Sequence, residues 1–323
     1  MILILTEEFD STTNKVIDWI EYFGLSFIRI NETSNLELSS LTISNQQSKF
    51  SLKFDNKTID SDKIKSFWYR RGFLNNKFKL LENNQIENYN KIVNRYLSRE
   101  NEHLRQIYYN ILESKKSIGK INDNKINKLE VLIKAKDFGL DIPETIISNS
   151  KKDIINLLNK HNLIITKSVK DNIHLQISEN EYYMQYTNLI SKSELEHLPA
   201  TFFPSIFQEL IEKKFELRIF FLESTFYASA IFSQENDKTK VDFRRYDKLK
   251  PNRSVPFLLP EDLLLKLQNL MNDLGLISGS IDIIVSKKNK YYFLEVNPIG
   301  QFGQVSKPCN YFLEKKVAEY LSF

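Results

Sequence analysis

The sequence predicts a mixed α/β and α+β protein, with a parallel-leaning first third and an antiparallel sheet in its last third. Three observations predict this. Strand-like and helix-like segments alternate from the first residue to about residue 70. A long run of apolar residues at helical spacing follows them. Near the end, two apolar strands joined by a short polar turn fill residues 279–298.

The elements follow in order. Residues 2–5 form an apolar strand, residues 14–23 carry Val16, Ile17, Ile20 and Phe23 at helical spacing, and residues 26–30 form a second strand. Residues 49–54 and 57–59 suggest a small hairpin, and residues 64–69 a strand ending at Arg70-Arg71-Gly72. From residue 84 to 114, offsets of three and four link Tyr89, Val93, Tyr96, Leu97, Leu104, Ile107 and Ile111 into a long amphipathic helical region. Its aromatic stripe reads as core. The polar stretch 115–124, with Gly119, closes a first domain at 1–118. Next comes a helix from about Asn127 to Phe138, with Gly139 as its C-cap and Pro143 opening a strand. A helix at 153–161 and a β-rich strand at 163–167 complete a middle lobe, 119–200. In the last lobe, 201–323, segments 206–211, 216–222, 226–233 and the closing hairpin read as an antiparallel sheet, with helices at 261–274 and 311–320.

Composition narrows the function. The chain has 323 residues, 41% hydrophobic and 12% aromatic, enough for two or three cored units. Its 45 basic and 41 acidic residues leave a net charge of +4, too balanced to imply nucleic acid. One cysteine, Cys309, excludes an internal disulfide and agrees with a reducing cytoplasm. The apolar start stops at Glu7-Glu8 without a basic leader, so it is a strand rather than a signal peptide. No apolar run approaches the roughly 20 residues of a membrane helix. No P-loop, Gly-x-Gly-x-x-Gly or His-Glu-x-x-His pattern occurs, and His103, His161, His174 and His197 are scattered, as structural or solvent-exposed histidines are.

The closing hairpin carries the chemistry. A two-residue loop at Lys288-Asn289 pairs Lys287 with Lys290 and sets Asp282 directly opposite Glu295. Asn297 then shares a face with Glu295. Directly opposed carboxylates repel, with Cβ atoms about 5 Å apart. Acids on the wet face of a hairpin are ordinary, but these two sit inside the apolar runs Ile-Asp-Ile-Ile-Val and Tyr-Tyr-Phe-Leu-Glu-Val, where charge needs a partner. Oxygen donors with no nearby His or Cys suit magnesium or manganese rather than zinc.

Asp282, followed thirteen residues later by Glu295-x-Asn297-Pro298, resembles the magnesium site of ATP-grasp carboxylate ligases. The tail Gly300-Gln301-Phe302-Gly303 … Pro308-Cys309-Asn310-Tyr311 is similar to the peptide maturases of that superfamily, the graspetide synthetases, which include microviridin ligases and grasp-with-spasm maturases. So are Phe67-Trp68-Tyr69-Arg70-Arg71, Asp242-Phe243-Arg244, Pro251-Asn252-Arg253 and Leu259-Pro260. The resemblance spans nearly the whole chain. It implies an ATP-grasp fold: an N-terminal pre-ATP-grasp domain, a small central lobe and a C-terminal antiparallel lobe.

It also implies roles. Lys128 and Lys167 match the lysines that hold the α- and β-phosphates, and a flexible point charge suits that task. Phe207-Gln208-Glu209-Leu210-Ile211 matches the adenine hinge, with backbone around Glu209 and Leu210 pairing the base and Ile211 packing nearby. Glu216 and Arg218 share a strand face. Glu216 stands where the family binds ribose hydroxyls, and Arg218 where it neutralises the transferred phosphoryl group, so Arg218 and Lys167 are the expected catalytic residues. Residues 168–188 contain no glycine, a departure from the glycine-rich phosphate lid of many ATP-grasp enzymes.

The implied reaction is ATP-dependent activation of Asp or Glu side chains in a ribosomal precursor peptide, with capture by Ser/Thr hydroxyls or Lys amines. Arg70, Arg71, Arg244 and Arg253 are the candidates for binding its acidic core, since guanidinium forks suit carboxylates. Arg70 or Arg71 in a structural ion pair is an equal reading. The polar loop 234–240 lies where relatives dock the leader, and the family implies a homodimer. Two other functions fit: a ligase adding an amino acid to a peptide or small acid, and a non-catalytic nucleotide-binding module. The complete Asp–Glu–Asn set weighs against the latter.

Overall fold

The computed structural model describes residues 1–55, 57–75, 88–170, 174–178, 181–234, 249 and 251–322. They divide into two compact units, one of residues 1–124, 301–306 and 312–323, the other of residues 125–300 and 307–311.

In the first unit, β1 (Ile2–Thr6) leads through α1 (Ser11–Tyr22) to β2 (Phe27–Asn31). β3 (Leu36–Ile43), β4 (Ser48–Phe54) and β5 (Lys57–Asp60) form an antiparallel three-stranded sheet. β6 (Ser66–Tyr69), α2 (Tyr89–Glu113) and β7 (Lys116–Ile118) follow. The parallel sheet runs β2-β1-β6-β7. β1 lies inside it and is buried along its whole length, which is why it reads as an unbroken apolar run. β3 escaped the sequence reading because a bulge between Leu38 and Ser40 breaks its alternation.

Asp10 caps α1, accepting from the amides of Thr12 (2.8 Å) and Thr13 (3.0 Å). Its other oxygen meets Arg70 Nε at 3.1 Å, and both side chains are almost fully buried. The Arg70 guanidinium also lies 6.0 Å from the Phe302 ring, and Thr12 Oγ1 donates to Gln301 Oε1 at 2.6 Å. Burial pulls the Arg70 pKa down to about 10 against the pull of Asp10. Arg70 therefore sits in a buried ion pair, the structural reading weighed equally with substrate binding. Breaking so enclosed a pair costs about 3–5 kcal/mol. Arg71 is different: it reaches Glu7 at 3.2 Å and stays about a third exposed.

Burial raises the Asp123 carboxyl to about 6, above its ordinary 3.8, although it accepts the Lys120 amide. A carboxyl raised in the folded state contributes fully below its unfolded value and loses that contribution as pH climbs through 6. Asp123→Asn is therefore expected to raise the unfolding midpoint at pH 8 and leave it unchanged near pH 4. Equal shifts at both pH values would refute this.

The second unit opens with α3 (Lys128–Asp137), capped by Asn127, whose side chain accepts the Leu129 amide at 3.0 Å; Gly139, at φ +77°, ends it. Then come β8 (Thr145–Ser150), α4 (Lys151–His161), β9 (Ile164–Lys167), the hairpin β10 (His174–Ser178) and β11 (Glu181–Met184), β12 (Asn188–Ile190), α5 (Lys192–His197) and β13 (Thr201–Glu209). β13 pairs with both β8 and β9, so the sheet β12-β9-β13-β8 runs past the expected lobe boundary at 200. Ile154, Leu157 and Leu158 of α4 cover one face of it against Ile164 and Phe207.

β14 (Lys213–Leu222), β15 (Thr225–Phe232) and β16 (Arg253–Phe257) precede α6 (Glu261–Asp273), β17 (Ser278–Ser286) and β18 (Tyr291–Asn297). They form the antiparallel sheet β16-β15-β14-β17-β18. Phe215, Leu217, Ile219, Ile281, Ile283 and Phe293 turn one face onto α3 and α6. Strand alternation sends their neighbours Glu216, Arg218 and Asp282 to the other face, and Glu295, beside the core residue Val296, joins them past an irregularity at Leu294. α7 (Gly303–Cys309) and α8 (Leu313–Ser322) end the chain.

Candidate active site

The register places Asp282 opposite Glu295 and Ser280 opposite Asn297, as the sequence reading expected. It does so by two departures that cancel. The loop has three residues, with Ser286 N–H donating to Lys290 O at 2.9 Å and Asn289 at φ +58°. A bulge at Leu294 then restores the offset, and Leu294 and Glu295 both line the cleft.

Each carboxylate faces a cation. Arg218 Nη1 donates to both Asp282 oxygens, at 2.7 and 2.6 Å, and Lys128 Nζ lies 3.0 Å from Glu295 Oε2. Among the described residues no three His, Cys, Asp or Glu side chains converge, so the candidate donors are two carboxylates and the exposed amide of Asn297. An all-oxygen set with no His or Cys beside it fits magnesium.

Gly300 fixes this corner. Its amide donates to Asn297 O at 3.1 Å, closing the turn that Pro298 starts. A Cβ at Gly300 would stand 2.5 Å from Ser280 Cβ. Gly300→Ala is therefore expected to displace Asn297 and lower kcat roughly 100-fold in a folded protein. Steady-state rates with circular dichroism check it, and an unchanged kcat would contradict it.

The cleft holds about 850 Å³, its open mouth included, a size that suits a nucleotide. Gln208 pairs with Ile165 and Ile206 with Lys167, so Gln208, Ile165 and Lys167 share the face that lines it. At the hinge, Glu209 N–H donates to Glu144 O and Leu210 N–H to Leu163 O, both at 3.0 Å. These two amides are committed to the fold, so any pairing of the hinge backbone at Glu209 and Leu210 with the base falls to their carbonyls. Ile211 N–H has no partner among the described residues and lies in the cleft lining. It is the available donor.

The Glu209 carboxylate works behind the hinge. It accepts the Glu144 amide at 3.0 Å and meets His161 Nδ1 at 2.9 Å, while His161 Nε2 lies 2.8 Å from Glu144. His161 is thus the structural residue expected of it. Gln208 Nε2 donates to Thr145 Oγ1 (2.7 Å), which itself donates to Pro143 O.

Sequence reasoning missed Lys213, buried in the cleft lining against Glu216. Its strand position alone puts it on the opposite face from Glu216; only the fold shows otherwise. Arg253 is exposed at the start of the edge strand β16, 5.7 Å from the Phe232 ring. Arg244, Asp242 and Phe243 lie outside the described residues. Cys309 is buried and its thiol pushed up by that burial, which does not suit a nucleophile. No helix among the described residues is long and apolar enough to cross a membrane.

No family model and no curated protein matches the sequence. Solved structures do match. One is a RiPP-associated ATP-grasp ligase of Chryseobacterium gregarium in complex with ADP and a leader and core peptide: 26% identity, TM-score 0.76, 99% of this chain and 94% of that one. Another is the macrocyclase MdnC of Microcystis aeruginosa, bound with the precursor peptide MdnA: 24% identity, TM-score 0.76, 99% and 98% covered. A third is the ATP-grasp ligase PsnB with minimal precursor, Mg and ADP: 15% identity, TM-score 0.70, 99% and 96% covered. The chain has the ATP-grasp fold, matched over 99% of its length. Fold and site together define an ATP-dependent carboxylate ligase, similar to the RiPP macrocyclases.

Proposed function

We propose that this enzyme closes side-chain rings in a ribosomal precursor peptide made of a leader and an acidic, Ser/Thr-containing core. One observation carries the reading: Asp282 faces Glu295 across two strands, on the sheet face that also bears Arg218 and Glu216. A carboxylate oxygen of a core Asp or Glu attacks the γ-phosphorus of ATP, the bond to the β–γ bridging oxygen breaks, and ADP leaves. A Ser or Thr hydroxyl, or a Lys amine, then attacks the acyl carbon, gives up its proton and expels inorganic phosphate. An ester or amide remains, one water lighter per ring.

Such transfers depend on positioning and charge neutralisation. Arg218 and Lys167 neutralise the transferring phosphoryl group, Lys128 and Lys167 hold the other phosphates, and Glu216 accepts from the ribose hydroxyls. The Ile211 amide and the backbone at Glu209 receive the adenine edge, with Gln208 and Leu210 beside it. Asp282, Glu295 and Asn297 would hold magnesium, or manganese, which would supply positive charge to neutralise the phosphates. Arg71, Arg244 and Arg253 serve the acidic core. The enzyme works in the cytoplasm as a homodimer; Ile92 and Tyr96, one turn apart on α2 and both more than half exposed, give a second copy an apolar face to cover.

The test is to mix the protein with a leader-plus-core peptide, its core rich in Thr/Ser and Glu/Asp, taken from any short reading frame beside the gene, and with ATP and magnesium. The expected result is peptide-dependent ADP release with loss of one water mass per ring. ADP release unchanged by the peptide, with no mass loss, would overturn the proposal.

A further inference from the structure

The inference concerns Lys213, whose ammonium lies in the nucleotide cleft yet is only 5% exposed. Residues three apart on a regular strand face opposite ways, so Lys213 and Glu216 belong on different sides of β14. They do not occupy them. Lys213 pairs with Ser286 and Phe215 with Val285, leaving Lys214 as an extra residue that turns Lys213 onto the Glu216 face. Such bulges re-aim side chains beside active sites. The extra residue, Lys214, points outward instead and donates to Asn289 Oδ1 at 3.0 Å. Of two adjacent lysines, the bulge selects one for the cleft.

There the Lys213 ammonium bonds the Glu216 carboxylate, itself 8% exposed. A buried carboxylate needs both a counter-charge and a fixed direction. The paired hydroxyls of a ribose are donors, so what must meet them is an ionised, acceptor-only group. Arg218, on the same strand face, is committed to Asp282. Lys213 supplies Glu216 with a counter-charge and a hydrogen bond that fixes its direction.

We infer that Lys213 is a positioning residue for sugar recognition: through Glu216 it sets the preference of the cleft for a ribonucleotide over a 2′-deoxyribonucleotide. The inference rests on Glu216 as the ribose acceptor. Its test is equilibrium binding of ADP and 2′-deoxy-ADP by calorimetry, with thermal unfolding of each variant measured alongside.

The wild type is expected to bind ADP about tenfold or more tighter than 2′-deoxy-ADP, the worth of a charge-assisted hydrogen bond. Glu216→Gln and Lys213→Met are both expected to bring the two ligands within about twofold, and Lys213→Arg to recover part of the difference. Should Lys213→Met not fold, Lys213→Gln keeps a donor without the charge and carries the same expectation. If Glu216→Gln retains the full preference, Glu216 is not the sugar ligand. If Glu216→Gln loses it and the uncharged Lys213 variants keep it, the ribose reading stands and Lys213 serves stability alone, which overturns the inference.

Discussion

Glu295→Gln and Asp282→Asn are each expected to abolish ring formation, cutting the rate by at least about 1,000-fold, while the protein stays folded. Each change is nearly isosteric, so the core that Phe293 and Ile283 make beneath the site keeps its shape. What is lost is one of two negative charges on opposed residues of neighbouring strands. With Asp282→Asn the Arg218 guanidinium loses its ionic partner, and with Glu295→Gln the Lys128 ammonium does. Those pairs are partly solvated, so the stability cost is about 1–3 kcal/mol, too little to unfold a domain of this size. Mass spectrometry of the peptide with thermal unfolding separates the two effects. Ring formation at wild-type rate in either variant would remove these residues from the reaction.

Arg218→Lys is expected to lower kcat by roughly 100- to 1,000-fold with little change in ATP affinity or unfolding midpoint. Lysine keeps the charge but not the planar fork. In the structure one guanidinium nitrogen, Nη1, reaches both Asp282 oxygens, and Arg218 lines the cleft. A point charge can satisfy Asp282 or a phosphoryl oxygen, and loses the geometry that serves both. Arg218→Met is different: it leaves Asp282 without its counter-charge and is expected to cost about 3 kcal/mol besides the activity. Pre-steady-state ADP formation reads the chemical step directly. A lysine variant with unchanged burst rate would show that charge alone suffices at Arg218.

Much of this was legible in the sequence, for identifiable reasons. Asp282 and Glu295 stood out because each interrupts an apolar strand, and their pairing was read from the register of a short turn. The expected turn was one residue short and the Leu294 bulge absent from the expectation; the core face, held by Phe293 and Val296, enforced the outcome. The shared face of Glu216 and Arg218 followed from alternation and holds. Where regular alternation fails, so did the reading. Lys213 was invisible because a single inserted residue decides its face. The β3 strand was missed for the same cause.

Arg70 shows a different limit. An arginine after a parallel strand can meet a ligand or a helix cap, and the sequence does not say which. Asp10, sixty residues earlier, decides it by capping α1 with one oxygen and holding Arg70 with the other. Phe302 then lies against the same guanidinium, so two motifs that carried the family resemblance meet within the first unit. At the hinge, backbone bonding chose Ile211 over Leu210 as donor, a choice fixed by where β9 begins.

The measurement that bears most directly on the metal triad is nucleotide affinity with and without magnesium, for the wild type and Asp282→Asn. The wild type should bind ATP markedly tighter when magnesium is present, and the variant should bind it equally with or without the ion. A magnesium effect of the same size in both proteins would mean that the ion is held elsewhere.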